Sequence, residues 1–223
     1  MKQTKLILLA LFGLFLFNSC KDKDPEPTNP ITAVSNSIAS LKSMTGISLD
    51  QAVAKFTTIG YAQVTSFPVG DEFIVRFFAG SDSTNGYMIY ESKGVIFFCG
   101  YLGNKDKATS LSNFEKYSQD CNSYMTGKDF IFESELENLE GESLSFTTHQ
   151  EFITQYLAIK LNLQYASESW LTAIEGVVAE YDYDDEDETI QTFIAYINRE
   201  YAPADMFEEK AIIKNILKYK KTK

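Results

Sequence analysis

Apolar and polar residues between Tyr61 and Leu102 recur with a period of two, which predicts strands over residues 62–67, 72–79, 86–91 and 94–102. Pro68-Val69-Gly70-Asp71, the polar stretch 80–85 and Ser92-Lys93-Gly94 punctuate them, and connections this short imply an antiparallel meander. In Val95-Ile96-Phe97-Phe98-Cys99 both alternating sets are apolar, and residues 73–78 break that rule only at Arg76, so these strands should be covered on both faces.

Helical signals flank the meander. A first short helix is predicted over 32–45. A second, over 48–59, starts at a capping box of Ser48 and Gln51 and stops at Gly60, and a third covers roughly 110–125. After Gly127, residues 130–132 and 144–146 suit short strands around an acidic, turn-like stretch, 133–142. A capping box of Thr148 and Glu151 then opens a helix with Phe152, Tyr156, Ile159 and Leu163 on one face. Trp170, Ile174, Val177 and Tyr181, then Ile190, Ile194, Ile197 and Tyr201, also fall at helical spacing. Pro203 and Asp205 set off a last helix with Ile212, Ile213, Ile216 and Leu217, whose C-terminal lysines suit the helix dipole. The expected fold class is α+β: an antiparallel four- to five-stranded meander sheet packed with helices, with a helical C-terminal half. Residues 32–127 form the helix-meander-helix region, and residues 128–223 a mainly helical region on the same core.

The first twenty residues have a different pattern. Lys2 and Lys5 precede an unbroken apolar run over 6–17, then Asn18, Ser19 and Cys20. A run of about a dozen residues is too short to span a bilayer of roughly 30 Å as a helix, so 1–19 reads as a secretory signal. The segment resembles a bacterial lipoprotein signal peptide, and Lys21-Asp22-Lys23-Asp24 resembles the charged tract after the acylated cysteine in surface lipoproteins of the Bacteroidetes. The resemblance implies lipid on Cys20 and an outer-membrane anchor, with the folded part at the cell surface or on the periplasmic face. Residues 20–31, with Pro25, Pro27 and Pro30, read as an extended tether.

Removing 1–19 takes the formal net charge from −11 to −13, because Lys2 and Lys5 leave with it. Arg76 and Arg199 are the only arginines, so no forked donor cluster exists for phosphate, and nucleic acid is excluded as a partner. With Cys20 used for lipid, Cys99 and Cys121 are left as a pair: either a disulfide, which an oxidising compartment favours, or two separate buried thiols. Asp82-Ser83-Thr84 resembles the three-residue O-glycosylation signal of the Bacteroidetes, which makes Ser83 a candidate acceptor in the loop between two strands.

Familiar catalytic sets are missing. One histidine, His149, excludes H-E-x-x-H, and its place in the first turn of a helix suits a solvated or capping role. No G-x-S-x-G, S-x-x-K or Walker loop occurs. Carboxylates are in surplus, and a pair such as Glu133 and Glu135 has the chemistry for glycoside hydrolysis. The acidic run 182–188 offers oxygen ligands for calcium. It fails the EF-hand pattern, and its position before Thr189 suits a helix N-terminus. The sequence therefore predicts a non-catalytic binding or assembly lipoprotein with no cofactor, whose ligand is a protein or carbohydrate. A carboxylate-based hydrolase and a toxin-neutralising lipoprotein with a basic partner are the alternatives.

Overall fold

The computed structural model describes residues 36–81, 84–184 and 189–203. Cys20, Ser83, the tether, most of the acidic run and the last expected helix lie outside the described residues. One antiparallel sheet of nine strands dominates: β1 (Ala62–Val69), β2 (Phe73–Ala79), β3 (Asn85–Ser92), β4 (Val95–Gly103), β5 (Ile131–Asn138), β6 (Ser143–Phe146), β7 (Leu163–Leu171), β8 (Glu175–Asp184) and β9 (Thr189–Asn198), in the order β1-β2-β3-β4-β9-β8-β7-β5-β6. The described helices are α1 (Ile38–Lys42), α2 (Leu49–Thr58), α3 (Lys107–Met125) and α4 (His149–Ile159).

The meander β1–β4 falls within two residues of where the alternation puts it. Pro68 lies inside β1, which tolerates it because β1 is an edge strand. The C-terminal half corrects the expectation of a helical region and of a four- to five-stranded sheet. Of the helices expected from residue 148 to residue 201, only α4 forms; Leu163, Trp170, Val177, Tyr181, Ile190, Ile194 and Ile197 all lie in strands. These strands are buried on both faces over most of their length, so an apolar residue occurs at every spacing and the helical match is incidental. Thr189–Asn198, TIQTFIAYIN, is rich in β-branched and aromatic side chains that suit a pleated surface. Closure comes from the long-range pairing of β4 with β9, with Gly100 opposite Ala195 and Tyr101 opposite Ile194.

Helices cover one face. The Ser48 capping box is made, with Ser48 Oγ accepting from the Gln51 amide and the Gln51 side chain accepting from the Ser48 amide; at Thr148 only the cap forms, Thr148 Oγ1 accepting from the Glu151 amide, while the Glu151 carboxylate takes the Thr148 hydroxyl instead of the Thr148 amide. In α3, Leu111, Phe114, Tyr117, Ser118, Cys121 and Met125 form the buried stripe, which packs across β7, β8 and β9. Phe114 meets Phe152 and Tyr156 of α4 edge-on or tilted. Each such fully buried side chain contributes roughly 1.5–3 kcal/mol of transfer free energy. Cys99 and Cys121 both belong to this core as fully buried free thiols, so the expected bridge is not made in this structure. Burial pushes both thiols well up, which makes them poor nucleophiles.

Candidate functional site: the open face of the sheet

Strand alternation sends one residue in two to the face opposite the helices. On β9, Ile190, Ile194 and Tyr196 join the helical core, while Phe193, Ala195 and Ile197 join a second cluster with Val75, Tyr90, Phe97, Phe98 and Leu102. All buried apolar residues of the described helices belong to the first cluster. Among the described residues the second is built from strands alone, with Ala202 packed against it.

Four rings of this second cluster lie in file across β2, β3, β4 and β9. Phe73 stacks on Tyr90 at 5.3 Å between centroids, Tyr90 on Phe98 at 4.3 Å, and Phe98 on Phe193 at 6.1 Å, with interplanar angles of 18–25°. Gly100 makes room for the file, because a Cβ there would stand 2.4 Å from the Phe193 ring.

The same face turns acidic toward β5. Three cross-strand rows run Glu137–Tyr165–Asp182–Gln191, Glu135–Ser167–Glu180–Phe193 and Glu133–Ser169–Val178–Ala195. The stretch 133–142, expected to be a turn, is mostly strand. Phe132, Ser134 and Leu136 point inward and are buried, and Glu133, Glu135 and Glu137 form one outward file, the first exposed and the others half-buried. Asp182 and Asp184 extend the acidic patch on β8. Burial and the neighbouring Glu180, Asp182 and Glu135 carboxylates hold the Tyr165 hydroxyl well above its ordinary pKa.

Other ionisable groups knit the fold. Buried Glu168 meets His149 Nδ1 at 2.6 Å, so the histidine clamps the start of α4 to β7 and is not a solvated cap. Burial raises the Glu168 carboxyl, partly offset by His149 and Ser118. Arg76 donates twice to Glu91 Oε2, which accounts for the one polar break in the second strand. Glu175 accepts from Lys128 at 2.6 Å, Tyr124 at 2.6 Å, Tyr196 at 2.7 Å and Lys42 at 3.2 Å. No sequence motif marks Glu168 or Glu175: Glu168 stands between Ser167 and Ser169 in β7, and Glu175 opens β8.

Glu133 and Glu135 are neighbours along one strand, not carboxylates facing each other across a cleft. A cleft of about 760 Å³ lies at the other end of the sheet, where Pro68, Phe73, Glu91 and Pro203 are among its walls. Its Glu91 is engaged by Arg76 and by the Gly94 amide. Among the described residues, no group of three or more His, Cys, Asp or Glu side chains is placed to hold a metal ion. Comparison with protein-family models, with curated proteins and with solved structures returns no match to this chain.

Proposed function

We propose that this chain is a lipid-anchored binding protein of the bacterial envelope that holds a basic protein partner, without transforming it, on the acidic half of its open sheet face. The observation that supports this reading best is the outward file Glu133, Glu135, Glu137, fixed by β5 on a face that no described helix covers. A rigid strand spaces these carboxylates about 7 Å apart, a repeat that alternate residues of an extended basic segment can match. Such complementarity favours fast, specific encounter and makes binding depend on salt. The anchor belongs to the same reading: apolar signal, short residues and Cys20 occur in the order a lipoprotein requires.

Three measurements test it. Cys20→Ala is expected to abolish detergent-phase partitioning, and partitioning unchanged by that substitution would remove the anchor from the reading. A synthetic lysine-rich peptide with interleaved aromatic residues is expected to bind the full chain and to lose roughly tenfold in affinity between about 50 and about 200 mM salt. Changing Glu133, Glu135 and Glu137 together to Gln should weaken binding by about the same factor while leaving the melting temperature within about 2 °C, since the amide keeps the size of each side chain and charges at the surface contribute little to folding. Binding indifferent to both changes would refute the acidic face as the site. Turnover of a chromogenic glycoside, lost on one Glu or Asp substitution that spares folding, would favour the hydrolase alternative.

A further inference from the structure

The two edges of the sheet are built differently. β1 is guarded: Pro68 lies within it, and a bulge interrupts its pairing between Gln63 and Thr65. Both features keep a further strand from adding to an edge. β6 has neither. Ser143, Leu144, Ser145 and Phe146 pair with β5 in unbroken register, and among the described residues no strand lies on their other side.

Hydrogen bonding defines what this edge offers. The Asn138 amide donates to the Glu142 carbonyl at 3.1 Å, and from there bonded and non-bonded pairs alternate along the antiparallel ladder. Leu144 opposite Leu136 and Phe146 opposite Ser134 therefore turn their amides and carbonyls toward β5. Ser143 and Ser145 turn theirs outward, and both residues are exposed. Beside them Leu144 is 46% exposed, and Leu157 on α4, which packs against β6, is 55% exposed.

Charge selects the occupant. The chain has a formal net charge of −11, yet no Asp, Glu, Lys or Arg stands between Glu142 and Glu151. In an acidic protein an uncharged edge is where like can meet like without repulsion. We infer that two copies of this chain pair edge to edge through β6, antiparallel about a two-fold axis at Ser145, to form one continuous sheet. In that register Ser145 faces its own counterpart, Leu144 faces Phe146, Ser143 faces Thr147 and Glu142 faces Thr148, so no acid opposes an acid. The two Glu133 files lie three strand spacings apart, about 14 Å, which exceeds the Debye length of about 10 Å at 0.1 M salt. Both files stay open on the same face, so the pairing does not rest on the proposed basic partner.

Ser145→Cys in the full chain tests the register. Mild oxidation should link two copies by a disulfide, seen on a non-reducing gel and absent from the wild-type chain. Ser143→Cys should give at least tenfold less, because its counterpart lies four residues along the strand, about 14 Å away, beyond the reach of a disulfide. Sedimentation supplies a second readout: the full chain should be dimeric at about 100 µM and monomeric near about 1 µM, as a small interface allows. Raising salt from about 50 to about 500 mM should not weaken the dimer, the reverse of what is expected for a basic peptide. Leu144→Lys, which charges the edge, and Ser145→Pro, which removes an outward amide that β5 does not use, should each raise the dissociation constant at least tenfold. If Ser145→Pro does not fold, Leu144→Lys decides. A chain still monomeric at about 100 µM, equal cross-linking at both positions, or a dimer indifferent to Leu144→Lys would overturn the pairing.

Discussion

Glu175→Leu is expected to lower stability by about 3 kcal/mol, a large share of the total for a domain of this size. Glu175 opens β8 and is the point where five elements of chain meet. Its carboxylate takes Lys42 from the end of α1, Tyr124 from α3, Lys128 from just beyond α3 and Tyr196 from β9. Removing it leaves two phenols and two ammonium groups without their shared acceptor. The loss stays below that of a fully buried pair because Lys42 and Lys128 are 50% and 31% exposed and can rehydrate. Burial alone would raise the Glu175 pKa, but the donors Lys128, Tyr124, Tyr196 and Lys42 outweigh it and hold the carboxyl down at about 2, below its ordinary 4.5. A depressed carboxyl stabilises the fold fully above the unfolded value and loses that contribution as pH falls from 4.5 toward 2. After allowance for solvent screening, this pH-dependent part is about 1–2 kcal/mol. Denaturant melts at about pH 7 and pH 3 check it: the wild-type chain should lose more stability between them than Glu175→Gln does. Equal losses would mean that the network contributes nothing.

How much of this was legible in the sequence depends on how each segment is buried. The meander β1–β4 could be read because tight turns such as Ser92-Lys93-Gly94 bound each strand, and Lys93 and Gly94 both adopt positive φ there. The helix caps at Ser48 and Thr148 could be read because they are local. Strands β7 to β9 could not be read by periodicity, since a strand apolar on both faces satisfies a helical template as well as an extended one. Residue type carried the missing information: Thr189, Thr192, Ile190, Ile194, Phe193 and Tyr196 are strand formers. Only the start of β5 can be read, as the short strand expected over 130–132; its continuation through 133–138 is hidden for the opposite reason. Its outward residues are all glutamate, so the alternation Phe132, Ser134, Leu136 against Glu133, Glu135, Glu137 was masked by charge density and resembled a turn. The acidic face itself was invisible, because the rows that join Glu135 to Glu180 and Glu137 to Asp182 exist only through pairings of β5 with β7 and β7 with β8. His149 and Glu168 likewise lie 19 residues apart on a helix and a strand, and only the docking of α4 joins them.

The second large effect is expected at Gly100, where the added methyl of Gly100→Ala should destabilise by about 2–3 kcal/mol. Taken by itself the substitution favours a strand, because alanine loses less backbone entropy on folding and Gly100 is not at positive φ. Packing reverses the sign. The new Cβ would stand 2.4 and 2.6 Å from two ring carbons of Phe193 and 3.2 Å from Phe98. Neither ring can yield easily: Phe193 is 7% exposed and stacked on Phe98, which is 1% exposed and stacked in turn on Tyr90. Relief therefore has to come from β4 moving away from β9 at the pairing of Gly100 with Ala195, the seam that joins the meander to the C-terminal strands. A double-mutant cycle separates this clash from any general intolerance of the strand. Phe193→Ala alone should cost about 3 kcal/mol through the cavity it leaves, and in that background Gly100→Ala should cost less than about 0.5 kcal/mol, a coupling of about 2 kcal/mol. Costs that simply add would show that the aromatic file does not depend on the missing side chain at Gly100.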